Sequence, residues 1–384
     1  MGFLTAEGQT YSRGLEGVVA AISAISAIDG EEGRLIYRGI DIETIAKYSH
    51  FEETAYFLLF GSLPNKSELE HFSAELTEAR ELPSRVAEHL KVLPPDPHPM
   101  DVLKLVVAHV ALYDPDKHKT DRKANLRKGI RIIAQLPTII AYYHRARQSK
   151  EFIPPNPELS HAANFLYMLS GETPDEENAR IFDIALMLHM DHGMNASTFA
   201  TMVTASTLSD IHSAIVSGIG TLKGPLHGGA NERVLDMLNE IGTVDKAEEY
   251  VLKSLAERKK IMGFGHRVYK AYDPRARILK QYAERLSEKY GDTRWIEMGK
   301  KIEEVMIREV GKKGIFPNVD FYSGIVYHFL GIPKDLFTPV FAIGRVVGWI
   351  AHVLEYTEAN RIFRPRALYN GPLEAEYVPI EQRV

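Results

Sequence analysis

Val340-Phe341-Ala342-Ile343-Gly344-Arg345-Val346-Val347-Gly348-Trp349-Ile350-Ala351-His352 reads as a helix that is apolar nearly all round. Such a helix has no face to give to water, so it belongs inside a helical body. Arg345 then needs an explanation. A buried guanidinium without an anionic partner is costly, and Glu355 lies almost three turns further on. A carboxylate brought in by a ligand would resolve the conflict. Arg364-Pro365-Arg366, just beyond, supplies more planar guanidinium groups, which grip carboxylates bidentately as lysine cannot.

The chain around this helix has 384 residues, enough for two domains or one large helical body. It is 45% hydrophobic and 25% charged, as a globular protein with a sizeable core should be. A net charge of −5 provides no bulk basic field for nucleic acid or an anionic membrane. With no cysteine, the chain has no disulfide framework, thiol nucleophile, Cys-based zinc site or iron–sulfur cluster. Residues Met1 to Gly8 lack the basic stretch and apolar run of a secretory signal. The apolar stretches are broken within about twenty residues, so no membrane span is expected and a cytoplasmic protein is.

Only residues 21–40 read as β structure: a short strand over 22–28, a turn with Gly30 and Gly33, and a return strand over 34–39. From Asp41 helical signals dominate. Pro64-Asn65 precedes an amphipathic stretch to about Arg80, and Pro99-Met100-Asp101 opens another to Tyr113. Thr173-Pro174-Asp175-Glu176 is a helix start, with Pro in the first turn, and its helix runs toward His189. Further helices are expected over 195–218, 230–240, 245–259, 273–289, 293–311 and 335–357. No βαβ alternation or dinucleotide fingerprint occurs, so the fold class is all-α with a small N-terminal β-hairpin. Pro154-Pro155-Asn156-Pro157 looks like a linker, while the glycine-bearing segments 218–229 and 324–331 look like hinges.

Those hinges flank three polar groups set among glycines or apolar residues. His227 stands in Pro225-Leu226-His227-Gly228-Gly229-Ala230-Asn231, where the backbone can approach a ligand closely. At a helix N-terminus its imidazole would stay neutral and donate to a developing enolate; otherwise it is a histidine in a connecting turn. His266, in Gly263-Phe264-Gly265-His266-Arg267-Val268-Tyr269-Lys270, is followed by Arg275 and Arg277, cations that lower its pKa and could hold an anion. The plainer reading is a solvated basic patch. Asp320, in Phe316-Pro317-Asn318-Val319-Asp320-Phe321-Tyr322-Ser323-Gly324, would become a usable base if apolar neighbours raised its pKa, and it also suits a helix N-cap. His189 and His192, three apart, would share one helical face, which fits core packing, substrate contact or a metal site.

Together these segments resemble citrate synthase of the shorter archaeal and bacterial type, from Gly30-Glu31-Glu32-Gly33-Arg34-Leu35-Ile36-Tyr37-Arg38-Gly39-Ile40-Asp41 to Arg364-Pro365-Arg366-Ala367-Leu368-Tyr369. The resemblance implies a mostly helical homodimer, with residues 1–222 and 326–384 forming a large domain that makes the dimer interface and 223–325 a small domain closing over the substrates. It implies that His227 polarises the thioester carbonyl of acetyl-CoA, Asp320 removes a methyl proton and His266 protonates the oxaloacetate ketone. His192, Arg275 and Arg345 would hold oxaloacetate, and Arg364 would reach in from the other subunit. Lys260-Ile261-Met262-Gly263-Phe264 matches the loop that contacts CoA. Acetyl-CoA is a co-substrate, and no metal or redox cofactor is implied. Three other readings stand beside this one: a 2-methylcitrate synthase using propionyl-CoA, a metal-dependent hydrolase built on His189, Asp191 and His192, and a non-catalytic helical binding module.

Overall fold

Phe337–Glu358 is a single helix, and every residue from Phe337 to Leu354 is buried. By length and composition it could cross a membrane, contrary to the expectation from the sequence, but its apolar window lies wholly inside the protein. The structure, a computed structural model, describes residues 11–383; the stretch Met1 to Gly8, read above for a secretory signal, lies outside them. The chain separates into two contact units. One comprises the residues up to Ile22 together with those from Ile362 onward, and among its described residues the regular structure is limited to short 3₁₀ turns at Arg13–Leu15 and Ile380–Gln382. The other, Ser23–Arg361, carries the sheet and all the described α-helices.

That larger unit opens with strands Ser26–Asp29 (β1), Arg34–Tyr37 (β2) and Ile40–Asp41 (β3). They form one antiparallel sheet in sequence order, with Ser26 opposite Tyr37 and Tyr37 opposite Ile40. The hairpin is where the sequence placed it, but its first strand starts at Ser26 rather than Ile22, and the third strand was not foreseen. The turn is set by Asp29, whose Oδ1 accepts from the N–H groups of Glu31 (3.0 Å) and Glu32 (2.9 Å), and by Gly33 at φ +68°.

The helices follow: Ile42–Tyr48 (α1), Phe51–Phe60 (α2), Lys66–Glu78 (α3), Ser84–Val92 (α4), Pro99–Ala111 (α5), Arg122–Ala146 (α6), His161–Ser170 (α7) and Glu176–His189 (α8). Then come Ala196–Ser206 (α9), Ile211–Leu222 (α10), Ala230–Ile241 (α11), Ala247–Ala256 (α12), Pro274–Tyr290 (α13), Arg294–Val310 (α14), Val319–Phe329 (α15) and Phe337–Glu358 (α16). The buried helix α16 is the hub, packed on by α2, α6, α8, α9 and α10. Helices α11 to α15 pack largely on one another, α13 against α15, α12 against α14 and α11 against α15.

Local chemistry explains most boundaries. Asn65 begins α3 with a capping box, its side chain bonded to the Glu68 N–H and the Glu68 carboxylate to the Asn65 N–H. Asp175 is the N-cap of α8, which leaves Pro174 outside the helix instead of in its first turn. The stretch expected as one helix over 195–218 is two. Leu208 takes φ +64°, and Asp210 restarts the chain as N-cap of α10, accepting from Ser213 N at 3.0 Å. The proline-rich run at 154–157 is pinned down: Arg80, itself buried, donates to Asn156 O (2.9 Å), and Asn156 N donates to Asn164 Oδ1 (2.8 Å). Gly324, read as part of a hinge, lies within α15, where a Cβ would sit 3.3 Å from Asn231 O on α11.

Candidate active site

His227 sits in the turn after α10, with its ring against the first turn of α9. Ser197, the second residue of α9, donates its N–H to His227 Nε2 (3.3 Å), and its hydroxyl oxygen lies 2.8 Å from the same nitrogen. Nε2 is therefore the acceptor, and the neutral ring carries its proton on Nδ1. Burial, and then the charge of Arg345, lower the His227 pKa to about 4, and the positive end of α9 acts in the same sense. At neutral pH this is an uncharged hydrogen-bond donor.

His266 has the opposite tautomer. Its Nδ1 accepts from the N–H groups of Val268 (3.0 Å) and Tyr269 (3.3 Å), which leaves the proton on Nε2. Its pKa also falls to about 4, from burial first and Arg275 second. The basic neighbours read from the sequence are thus the lesser cause. The loop that carries it is strapped to the residues before α15: Gly265 N donates to Phe316 O (2.9 Å), Asn318 N to Gly263 O (2.8 Å) and Asn318 Nδ2 to Gly265 O (2.9 Å). Gly263 has φ +78°, and a Cβ there would lie 2.7 Å from the Phe321 Cβ, so only glycine fits. On its other side, Lys270 N donates to Gly30 O in the hairpin turn at 2.8 Å.

Asp320 is the second residue of α15, and the capping role falls to Asn318, whose Oδ1 accepts from Asp320 N at 3.0 Å. The Asp320 carboxylate is left free: its Oδ1 is buried without a hydrogen-bond partner. Burial raises its pKa to about 7, against the pull of Arg275 and Arg345. A carboxylate with this pKa, unpaired and beside two cations, is suited to take a proton near neutral pH.

The three candidate oxaloacetate ligands are all buried. The His192 ring lies 5.0 Å from that of His266, and its Nε2 is 3.1 Å from Tyr269 OH. Because α8 ends at His189, the two histidines do not share a helical face. His189 turns inward onto Phe341, ring centroids 4.5 Å apart, and Asp191 pairs with His352 at 3.1 Å. His189, Asp191 and His192 therefore diverge, and they offer no common point for a metal. Arg345 donates Nε to His189 O (2.8 Å) and lies over the Phe341 ring. Among the described residues no carboxylate is within ion-pair distance of it, and burial lowers its pKa to about 10. Arg275 has a partner that sequence reading missed. Asp273 takes its Nε (3.0 Å) and Nη2 (2.7 Å), while also accepting from Val319 N at the start of α15 (3.2 Å). Asp-Pro ahead of a helix was a visible cap signal; its reach to Arg275 was not.

In the segment 260–264, Lys260 is exposed, while Ile261 and Gly263 are buried. Phe264 packs edge-on against Phe321 at 4.7 Å. Arg364 belongs to the other contact unit, where it is exposed and donates to Pro365 O at 3.0 Å.

Known proteins share both the sequence and the fold. Residues 14–366 match the family model described as citrate synthase, C-terminal domain. The citrate synthase of Deinococcus radiodurans is 49% identical over 97% of this chain and 99% of its own length. The crystal structure of citrate synthase from Pyrobaculum aerophilum superposes with a TM-score of 0.93 at 43% identity, covering 100% of this chain and 99% of that one. The citrate synthase from Thermoplasma acidophilum, solved as a ternary complex with carboxymethyl coenzyme A and oxaloacetate, gives 0.93 at 37% identity, covering 97% and 100%. With this agreement running nearly end to end, the chain belongs to the citrate synthase family.

Proposed function

We propose that this chain condenses acetyl-CoA with oxaloacetate and hydrolyses the resulting citryl-CoA to citrate and CoA. The observation that carries the reading is the Asp320 carboxyl, with an unpaired buried Oδ1 and a pKa raised to about 7, together with two histidines, His227 and His266, kept neutral. Carbon-acid chemistry needs that combination. His227 Nδ1–H donates to the thioester oxygen, which makes the methyl group more acidic, and Asp320 takes a methyl proton. The enol carbon then attacks the ketone of oxaloacetate, and His266 Nε2–H donates to the oxygen that becomes the alcohol. A neutral imidazole matches a developing enol better than an imidazolium, which would give up its proton too early. His192, Arg275 and Arg345 hold the dicarboxylate, and Arg345, lacking a protein carboxylate, receives one from the substrate. Segment 260–264 serves CoA. Each step is a proton transfer or a carbon–carbon or acyl bond change, so the residues named suffice without a metal or redox group.

The working unit in this reading is a cytoplasmic homodimer in which residues 223–325 close over the substrates and Arg364 serves the neighbouring subunit's site. An apolar outer face along α5 and its C-cap supports pairing: Leu105 is 47% exposed and the C-cap Leu112 64%, with exposed Ala108 between them at helical spacing. A chain without cysteine needs no oxidising compartment.

The deciding measurement is thiol release with acetyl-CoA or propionyl-CoA, each with and without oxaloacetate. Release that depends on oxaloacetate, with kcat/KM higher for acetyl-CoA, is expected. One methylene is worth about 1–3 kcal/mol in an apolar pocket, so some propionyl-CoA turnover is compatible with the reading. A preference for propionyl-CoA would make the enzyme a 2-methylcitrate synthase, and release independent of oxaloacetate would overturn the assignment.

A further inference from the structure

The mechanism leaves the buried pair Asp191 and His352 unused. Asp191 is fully buried, and its two oxygens lie 3.1 and 3.3 Å from His352 Nε2. It also accepts from Ser26 Oγ on β1 and from Gly193 N at 3.1 Å. Its own N–H donates to the buried Tyr37 hydroxyl on β2 at 3.1 Å. Burial favours a neutral His352, but the Asp191 carboxylate outweighs it and raises the pKa; burial likewise works against the Asp191 charge, which His352 helps to keep. Each shifts the other toward its charged form.

This cluster sits under the turn at 190–193, and α16 is shaped to receive that turn. Gly344, Gly348 and His352 recur every fourth residue, so they line one face of α16. A Cβ on Gly344 would lie 2.6 Å from Leu186 O, and one on Gly348 would lie 2.2 Å from Met190 O and 2.6 Å from Asp191 Oδ1. Gly348 N donates to Met190 O at 3.1 Å. The end of α8 thus rests directly on the backbone of α16. Two groups assigned to oxaloacetate depend on this contact: Arg345 is steadied by His189 O, and His192 follows Asp191 in the turn.

We infer that Asp191, held by His352 and Ser26, is a positioning residue that fixes the 189–193 turn and so sets Arg345 and His192 for the dicarboxylate substrate. It also balances charge. The Asp191 charge favours the charged forms of both His352 and Arg345, while Arg345 keeps its guanidinium outside ion-pair distance of any described carboxylate and open to the substrate's. The inference rests on the oxaloacetate reading given above.

The test is steady-state kinetics and equilibrium binding of oxaloacetate for Asp191→Asn, His352→Gln and Ser26→Ala. Each variant is expected to raise both KM and Kd for oxaloacetate, by about tenfold or more for Asp191→Asn and a few-fold for Ser26→Ala, as loss of charged and neutral hydrogen bonds implies. The KM for acetyl-CoA should stay within about twofold, a split that a general loss of packing would not produce. The double variant Asp191→Asn/His352→Gln should be little worse than Asp191→Asn alone, because the two act as one unit. Equal changes in both Michaelis constants, or none in the oxaloacetate constant, would overturn the inference. If Asp191→Asn does not fold, Ser26→Ala and His352→Gln decide by the same split. Wild-type protein that binds no oxaloacetate would instead overturn the functional reading.

Discussion

Asp320 is useful and destabilising for the same reason: one oxygen of its carboxylate, Oδ1, is buried without a hydrogen-bond partner. Its folded pKa of about 7 stands above an unfolded value of about 3.9. Between these pH values the folded chain holds a proton that the unfolded chain has released, so stability falls as pH rises from about 4 to about 7. Asp320→Asn removes the charge and keeps the shape. It should melt above the wild type at pH 8 and converge with it near pH 4, while kcat drops by about two to four orders of magnitude. Scanning fluorimetry at the two pH values, beside a thiol-release assay, reads both effects; a lower melting temperature at pH 8 would mean that the carboxylate is not paying this penalty. In the wild type, kcat/KM should climb with pH through about 7, as the base ionises in the free enzyme. Arg345→Leu separates binding from folding in a different way. Loss of a charged hydrogen bond of about 1.5–3 kcal/mol should raise the oxaloacetate KM some ten- to hundredfold. A buried leucine should cost the fold little, since no protein ion pair is broken. If the acetyl-CoA KM rose instead, Arg345 would belong to the other substrate.

The loop of His266 and the start of α15 are one construction, because 263–265 is hydrogen-bonded to 316–318 and the hairpin turn closes on the loop from its other side. Gly30→Ala tests that second contact. A Cβ there would lie 2.3 Å from Val268 O, so backbone must shift. We expect kcat to fall, with a loss of about 1–3 kcal/mol in stability from overpacking; unchanged kcat in a less stable variant would show that the hairpin supports the fold and not the histidine. Much of this architecture was legible in the sequence where the cause is local. The α16 composition and the helix starts near Asn65 and Asp175 each declare themselves within a few residues, although the cap at Asp175 leaves Pro174 outside its helix. What escaped was set by distant partners. The break before α10 is an exception, a local signal passed over: Asp210 is an N-cap, and Leu208 before it takes φ +64°. β3 is two residues long and exists only by pairing with β2. The shared face expected for His189 and His192 failed because α8 ends at the first of them, where the chain turns to meet α16. The helical reading of α15 was obscured by Gly324, whose small size serves contact with α11.

The proposed homodimer can be tested through Arg364. If Arg364 serves the neighbouring subunit, then inactive Asp320→Asn and inactive Arg364→Leu chains should complement each other. Free exchange gives about half heterodimers, each with one intact site, so roughly a quarter of wild-type sites should return. No recovery, with heterodimers confirmed by mass, would place Arg364 outside the partner's site. The span of the Asp191 cluster has a further consequence, for synthesis. Ser26 and Asp191 are 165 positions apart, and Asp191 and His352 another 161. A nascent chain makes its hairpin first and α8 next, and α16, against which α8 packs, brings His352 only 161 residues after Asp191. At about 5–20 residues per second, this holds the 189–193 turn without its support for many seconds. Contacts of such separation also slow folding after release. Chains truncated before α16 should therefore be all-or-none casualties, with no graded remnant of activity, and a folding helper that shields apolar surface should act chiefly on the wait for this one helix.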